Sequence, residues 1–261
     1  MNFKKHIPNA LTCANLLCGL LGIASVFILN DDLTIASYFI YLACIFDFLD
    51  GFVARLLNVS SSIGKELDSL ADVVTFGVLP GFILATLLGL QFLSSFGNIP
   101  AQGFYYIKEP EADNIFMMQY GWKLALLSFL IPLFSALRLA KFNIDERQHD
   151  HFIGLPTPAN ALFISALPFL VNSNLPFAHL ITSPIVILVM VPILSYLLIA
   201  ELPLIALKFK NFGWQDNKMR YILIISALLL IVTLNFMAIP IIIILYIILS
   251  IIDNKVVLKT K

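Results

Sequence analysis

Long apolar stretches constrain the fold of this chain more than any other feature. About 20 apolar residues span a bilayer as a helix, and eight candidate segments run roughly over residues 8–30, 33–56, 66–95, 121–142, 156–173, 180–207, 220–236 and 239–252. The mean hydropathy of +0.94 lies far above that of a soluble domain. Lipid gives backbone amides no hydrogen-bond partners, and the segments lack the alternation of a barrel. The sequence therefore predicts an all-α, polytopic membrane bundle of about eight transmembrane helices.

The cationic residues predict how the chain crosses the membrane. With an even number of spans, 14 of the 16 Lys and Arg residues fall on one side, and only Lys108 and Lys123 fall on the other. Cationic residues concentrate on the cytoplasmic side, so both termini and the connection between the second and third segments are predicted to be cytoplasmic. We divide the chain into a six-helix core, residues 1–207, and a C-terminal helical hairpin, residues 208–261.

Charge and cysteine content narrow the function classes. Lys plus Arg equals Asp plus Glu at 16 each, so no bulk charge attracts the chain to nucleic acid. Cys13, Cys18 and Cys44 lie in apolar stretches without metal-ligand spacing, and we interpret them as free packing thiols. The basic and then apolar N-terminus has features of a secretory signal. Polar Thr12 and Asn15 interrupt it, and we expect a retained first helix.

Four aspartates stand at the ends of two adjacent apolar segments. Asp47 and Asp50 are three residues apart in the second segment, and Asp68 and Asp72 are four apart in the third. Each pair therefore shares one helix face. The connection between the segments is short, so the helices are expected to be antiparallel neighbours whose carboxylates converge. Asp47 precedes Arg55 by eight residues, about 12 Å along a helix, which places the cluster inside the membrane but within reach of the cytoplasm.

Converging carboxylates indicate a cation site. Like charges at contact distance repel strongly in a poor dielectric, so protons or cations must neutralise them. The cluster offers only oxygen ligands, which suit a hard divalent ion such as Mg²⁺, Mn²⁺ or Ca²⁺, and four carboxylates have enough oxygens for two ions. Such ions would leave open positions for phosphate oxygens.

The same stretch offers space and donors for an anionic ligand. Gly51 follows Asp50, and Gly64 precedes Asp68 by four residues, so neither places a side chain beside the acids and a bulky group can approach the backbone. The residues that border this opening and can donate hydrogen bonds are Arg55, Ser60, Ser61, Ser62 and Lys65.

Two other interpretations of the aspartates stay open at this point. The acids could form a structural ion network with Arg55, Lys65 and Arg138, or they could belong to an ion or proton pathway in a transporter. Against the network, four acids exceed what the nearby cations would balance, and intramembrane acids are usually functional. Against the pathway, no polar relay continues through the later segments.

Eight positions between residues 47 and 72 fit the fixed pattern D-x-x-D-G-x-x-A-R, eight residues, G-x-x-x-D-x-x-x-D. They are Asp47, Asp50, Gly51, Ala54, Arg55, Gly64, Asp68 and Asp72. This pattern resembles the signature of the CDP-alcohol phosphatidyltransferases, and eight fixed positions at fixed spacing make a specific motif. The number of apolar segments and the inward loop are also similar to that family.

The resemblance implies roles for the matched residues. CDP-diacylglycerol would bind through its pyrophosphate to metal ions held by the four aspartates, and the last of them, Asp72, would be the general base. The nucleotide would be bound by Gly51, Ala54, Arg55 and Gly64, to which we add Ser62 and Asn15. Thr12 and Asn15 share a face of the first helix, where they either pack against a neighbouring helix or contact the nucleotide.

Three further stretches resemble the serine-accepting branch of the same family. They are GKELDSLADVVTFGVLP at residues 64–80, RLAKFN at 138–143 and FIGLPTPANA at 152–161. The branch usually carries Arg where this chain has Lys141, and Lys keeps the charge but loses the bidentate fork. The resemblance implies L-serine as the acceptor and a homodimer in the membrane.

The acceptor-binding candidates are Arg138 and Asn143, because the carboxylate of serine prefers a guanidinium. Arg138 fits equally well as a helix-end cation that marks the cytoplasmic side. The rival acceptors are glycerol 3-phosphate, inositol phosphate, phosphatidylglycerol and choline, and a phosphorylated one would require two or three converging cations. Arg138, Lys141 and Arg147 could supply these. A divalent-cation transporter remains the alternative outside the enzymes.

Overall fold

The computed structural model describes residues 6–28, 32–59, 61–97, 123–145, 152–173, 175, 178–205 and 213–259. Within these ranges the regular structure is helical apart from one short antiparallel pairing of β1 (Phe152–Ile153) with β2 (Pro203–Leu204). The predicted all-α membrane bundle is thus confirmed as a fold class. The long connection predicted at residues 96–120 lies almost wholly outside the described residues.

The first three helices carry the aspartates. Helix α1 spans His6–Ile28 and α2 spans Leu33–Leu56, where Asp32 caps the N-terminus of α2 by accepting a hydrogen bond from the Thr34 amide at 2.9 Å. Helix α3, Ser62–Asp72, begins where Ser61 Oγ accepts from the Gly64 amide at 2.9 Å. Such caps satisfy amides that have no partner inside the helix. Only residues 57–61 separate α2 from α3, which keeps the two pairs of acids close together.

Helix α3 does not end at Asp72. It continues through a π-helical turn, Val73–Val78, into α4, Leu79–Gly97. A π-helical turn inserts an extra residue into the helical repeat and is frequent at functional sites. It lies directly after the last aspartate.

The second half of the chain contains several short helices besides the long ones. A 3₁₀ turn at Leu126–Phe129 precedes α5, Leu130–Ile144. The later helices are α6 (Thr157–Ser165), α7 (Leu167–Val171), α8 (Ala178–Ile181), α9 (Pro184–Ile199), α10 (Trp214–Leu234) and α11 (Ala238–Lys259).

Four helical stretches of the described chain are long and apolar enough to cross a membrane: His6–Ile28, Ser62–Leu90, Lys123–Ile144 and Asn217–Asp253. Shorter apolar helical stretches cover Thr157–Val171 and Pro184–Ile199. The segment predicted at residues 180–207 is shorter than expected, because Ala200 is extended at ψ 139° and ends α9 before the chain enters β2. The number of about eight spans stays a prediction.

Helix α4 is the centre of the bundle. In the helical stretch Ser62–Leu90, which runs from α3 through the π-helical turn into α4, 72% of the most apolar 18-residue part is buried, against 17% for Asn217–Asp253. Phe76, Leu79 and Ile83 are completely buried in the core, whereas large apolar side chains such as Leu17 and Phe48 are exposed on the outer faces of α1 and α2. An apolar exterior is what lipid requires, and the polar side chains of Thr12, Asn15, Asp50 and Asp72 are buried inside the bundle.

The C-terminal helices pack against this core through aromatic rings. Tyr41 on α2 stacks on Phe236, between α10 and α11, with ring centroids 4.9 Å apart. Phe169 on α7 stacks on the same Phe236 at 5.1 Å.

The three free cysteines form no disulfide, as the sequence predicted.

Candidate active site

The structure brings three of the four aspartates together at one point. Asp47, Asp50 and Asp68 each offer a carboxylate oxygen within 4.8 Å of the other two. This convergence follows from the spacing of the acids on α2 and α3 and from the short connection between those helices. Asp72 lies one helical turn beyond Asp68 and interacts electrostatically with Asp47 and Asp68.

Helix α1 supplies hydrogen-bond donors to the two most buried acids. Thr12 Oγ1 lies 2.6 Å from Asp50 Oδ2 and donates to it, and Asn15 Nδ2 donates to Asp72 Oδ1 at 3.2 Å. Thr75 lies in the π-helical turn, and its hydroxyl donates to the backbone carbonyl oxygen of Asn15 at 3.2 Å. These bonds fix the orientation of Asp50 and Asp72 but add no positive charge.

Among the described residues, no cation is recorded in contact with Asp47, Asp50 or Asp68. Among the described residues, the polar contacts of Asp47, Asp50 and Asp68 are with other aspartates, Thr12 and a backbone amide. Asp68 Oδ1 is buried and lacks a hydrogen-bond partner. A buried carboxylate oxygen without a partner is costly, so these contacts argue against the structural ion network.

The donor set fits a hard divalent cation. The three clustered ligands are all carboxylate oxygens, which Mg²⁺, Mn²⁺ and Ca²⁺ prefer. Asp68, whose Oδ1 has no hydrogen-bond partner among the described residues, contributes one oxygen to this cluster. The acidic cluster is therefore compatible with metal binding.

A cavity of about 280 Å³ opens beside the acids. We call it the first cavity. Of the predicted nucleotide-binding residues, Gly51, Ala54 and Gly64 line it, together with Asp50 and Asp68. The other lining residues are Pro8, Asn9, Thr12, Val59, Ser61 and Lys65. Its walls therefore come from α1, α2, α3 and the connection between α2 and α3.

The two glycines of the first cavity have different surroundings. A Cβ atom on Gly51 would meet nothing within 4 Å, so this position faces open space. A Cβ atom on Gly64 would lie 2.8 Å from Ser61 Oγ and 2.9 Å from Asn9 Oδ1. Gly64 thus allows close packing of α3 on α1, while Gly51 leaves room for a ligand.

Three predicted nucleotide-binding residues do not line the first cavity. Arg55 and Ser62 are exposed, and Asn15 is buried against Asp72 instead. Ser61 lines the cavity in place of Ser62, because Ser61 is the residue that caps α3. Asn9 was not anticipated from the sequence. The sequence pattern that could have identified it is a row of polar or small residues at positions 9, 12, 15, 19 and 22. These positions recur every three or four residues and therefore share one face of α1.

A second cavity of about 360 Å³ lies at the end of α5. Arg138 lines it, is only 7% exposed and lies within electrostatic range of Asp72. Asn143, the other predicted acceptor-binding residue, is not among the residues that line this cavity. Its side-chain amide donates to Ser69 Oγ at 2.8 Å, and its carbonyl oxygen accepts from Lys65 Nζ at 3.2 Å, which joins α5 to α3.

These features define a helical membrane protein with an acidic site beside one cavity and a buried arginine that lines a second. Comparison with known families matches residues 5–251 to the CDP-alcohol phosphatidyltransferases. The chain belongs to that family, and the resemblance of its aspartate motif is confirmed.

Several curated relatives are named CDP-diacylglycerol–serine O-phosphatidyltransferase. The protein of Bacillus subtilis is 32% identical over 207 residues, which cover 79% of this chain and 91% of the relative. That of Methanocaldococcus jannaschii is 36% identical over 65% of this chain and 63% of the relative. That of Helicobacter pylori is 34% identical over 60% of this chain and 54% of the relative. The chain thus matches almost the whole Bacillus protein but only part of the other two.

Proposed function

We propose that this enzyme transfers the phosphatidyl group of CDP-diacylglycerol to L-serine and releases CMP. One observation carries the proposal: Asp72 lies within electrostatic range of both the acidic cluster and Arg138, and each of these borders its own cavity. Asp72 therefore interacts with a group that borders each cavity, as a carboxylate shared by two substrates would. The names of the relatives support serine as the acceptor.

The four aspartates are the proposed metal ligands. Asp47, Asp50 and Asp68 offer converging oxygens, and Asp72 lies beside them. We propose Mg²⁺ or Mn²⁺, with Ca²⁺ as an alternative, and two ions. Bound divalent ions would neutralise the carboxylates and polarise the phosphoryl oxygens of the pyrophosphate.

The first cavity is the proposed site of the cytidine nucleotide. Its lining offers backbone approach at Gly51 and Gly64, and hydrogen-bond donors at Asn9, Ser61 and Lys65. We retain Ala54 on the cavity wall. Arg55 and Ser62 stay proposals as exposed residues at the mouth, and Asn15 stays one through its contact with Asp72.

Asp72 is the proposed catalytic base. A primary hydroxyl is a weak nucleophile at neutral pH, so a carboxylate must accept its proton as the new bond forms. The serine oxygen attacks the lipid-linked phosphorus, the bond from that phosphorus to the bridging oxygen breaks, and CMP leaves. Asn15 orients this base, because its side-chain amide donates a hydrogen bond to Asp72 Oδ1. Arg138 binds the serine carboxylate, and Asn143 supports this end of α5 through its bond to Ser69.

The topology belongs to the same proposal. We place the enzyme in the cell inner membrane with about eight spans, and with both termini and the active-site opening in the cytoplasm. The concentration of cations on one side supports this orientation. We also propose a core of residues 1–207, a C-terminal hairpin of residues 208–261 and a homodimer, which cross-linking in native membranes would test.

The acceptor is tested by direct assay. Purified protein is supplied with CDP-diacylglycerol and Mn²⁺ or Mg²⁺, each acceptor is offered in turn, and CMP release is followed. We expect L-serine to give the fastest release and phosphatidylserine as the product. Faster release with glycerol 3-phosphate, inositol phosphate, phosphatidylglycerol or choline would replace serine as the acceptor. Metal uptake into vesicles without any CMP release would indicate a transporter.

A further inference from the structure

The second cavity contains charges of both signs. The cavity is lined by the C-terminal end of α5, by β1, and by the C-terminal end of α9 together with the residues after α9. The residues are Arg138, Lys141, Ile144, Asp145, Ile153, Leu198, Ile199 and Glu201. Two of them are cationic and two are acidic, so the cavity has no net charge of its own.

The buried cation of this cavity lacks a full set of partners. Arg138 Nη1 is 3.5 Å from Thr157 Oγ1, at the limit of a hydrogen bond, and the guanidinium lies 5.7 Å from the centre of the Phe142 ring. Arg138 Nε is buried and has no hydrogen-bond partner in the part of the chain that the structure describes. A buried guanidinium in this state is best satisfied by a bidentate anion, and a carboxylate has the matching geometry.

The acidic residues reach the cavity from two different elements. Asp145 follows α5, where its amide donates to the Lys141 carbonyl oxygen at 3.0 Å. Glu201 follows α9 in a segment held by backbone bonds. The Gly154 amide donates to the Leu202 carbonyl oxygen at 2.9 Å, and β1 pairs with β2 directly afterwards. The backbone on both sides of the cavity is therefore fixed.

From this charge pattern we propose that the second cavity recognises the acceptor as a zwitterion. Arg138 binds its carboxylate, and Glu201, assisted by Asp145, binds its ammonium group. The inference rests on the proposed function, because it concerns the acceptor of that reaction. It also gives a basis for discrimination among acceptors: glycerol 3-phosphate and inositol phosphate have no ammonium group for Glu201, and choline has no carboxylate for Arg138.

The test uses unreactive analogues as competitive inhibitors against serine. L-Alanine has both charged groups but no hydroxyl, and propionate has only the carboxylate. For Glu201→Gln we expect the KM for serine and the inhibition constant of L-alanine to rise about tenfold, while the inhibition constant of propionate stays unchanged. For Arg138→Lys the KM for serine and the inhibition constants of L-alanine and propionate should all rise, because the carboxylate of each compound loses its bidentate partner, the guanidinium.

Two controls separate the charge effect from a structural one. Glu66→Gln removes an exposed acid of α3 that lines neither cavity, and its constants should equal those of the unaltered enzyme. Glu201→Asp keeps the charge and should recover part of the affinity for L-alanine. If Glu201→Gln weakens propionate and L-alanine equally, or behaves like Glu66→Gln, the zwitterion proposal is wrong although serine transfer stands. If the unaltered enzyme prefers a different acceptor in the CMP assay, the proposed function itself fails.

Discussion

The two cavities differ in the sign of the buried charge that lacks a partner. In the first, Asp68 Oδ1 is a buried acceptor without a donor. In the second, Arg138 Nε is a buried donor without an acceptor. Under the proposed function a different ligand would satisfy each group: divalent cations beside the first cavity and the carboxylate of the acceptor in the second. The comparison therefore predicts that metal binding and acceptor binding respond to different substitutions.

The largest expected effect comes from removing a ligand of the acidic cluster. Asp68→Asn takes one charge from the cluster and should lower kcat about 10⁴-fold, because charge stabilisation by metal contributes several kcal/mol to the barrier. The same change relieves repulsion among the acids. In metal-free protein we expect a melting temperature about 2–4 °C higher, since relief of about 1 kcal/mol shifts the transition by this amount.

Thermal melts with and without Mn²⁺ check this prediction. Mn²⁺ should raise the melting temperature of the unaltered protein and leave that of Asp68→Asn almost unchanged. Glu66→Gln, an exposed acid on the same helix, serves as the matched control and should respond like the unaltered protein. An equal response of Asp68→Asn to Mn²⁺ would show that the cluster is not the metal site.

The second-largest expected effect concerns Asp72, which interacts electrostatically with the acidic cluster and with Arg138. Asp72→Asn should lower kcat about a thousandfold at saturating metal and serine, which is within the range for loss of a general base. The Mn²⁺-induced rise in melting temperature should persist, because Asp47, Asp50 and Asp68 still converge. Turnover close to that of the unaltered enzyme would refute the base assignment, and loss of the Mn²⁺ response would make Asp72 chiefly a metal ligand.

The two glycines sharpen the comparison within the first cavity. Gly51→Ala adds a methyl group to open space within α2, so stability should rise by about 0.5–1 kcal/mol through the helix propensity of Ala, while the KM for CDP-diacylglycerol rises about tenfold through overlap with the ligand. Gly64→Ala pushes against Ser61 Oγ and Asn9 Oδ1 and disturbs the cap of α3, which should cost about 1 kcal/mol of stability. If Gly51→Ala leaves the KM for CDP-diacylglycerol unchanged, the nucleotide does not occupy this space.

Sequence spacing was sufficient where one helix carries the whole pattern. Intervals of three and four residues put Asp47 with Asp50 and Asp68 with Asp72, and the short connection brought Asp68 to Asp47 and Asp50, with Asp72 one turn beyond. The same rule explains why Asn143 does not line the second cavity. It lies five residues after Arg138, about 140° around the helix, and therefore faces Ser69. Lys141 and Asp145, three and seven residues after Arg138, share its face and line the second cavity.

Spacing was insufficient where the site depends on contacts between distant elements. Glu201 reaches the second cavity because α9 ends at Ile199 and the next residues pair with β1, which the apolar pattern at residues 180–207 did not reveal. The π-helical turn after Asp72 was equally hidden, since Val73–Val78 is as apolar as the helices around it. Such features are set by tertiary packing, which a local pattern does not contain.

The smallest expected effect concerns α11 of the proposed C-terminal hairpin, whose Tyr246 interacts electrostatically with Arg138 of the second cavity. Tyr246 on α11 donates to the Ile205 carbonyl oxygen at 3.1 Å and lies within electrostatic range of Arg138. Tyr246→Phe should cost about 1 kcal/mol of stability and raise the KM for serine about twofold to threefold, a shift of less than 1 kcal/mol. The KM for CDP-diacylglycerol should stay unchanged.

Ser250→Ala is the matched control for this prediction, because Ser250 Oγ accepts from the Ile205 amide at 3.1 Å and thus holds the same segment without a contact to Arg138. It should lower stability by a similar amount, about 1 kcal/mol, and leave the KM for serine unchanged. Equal KM values for serine in both variants would mean that the hairpin only stabilises the core. A difference between them would show that α11 tunes the guanidinium of the second cavity, and would place part of acceptor recognition outside residues 1–207.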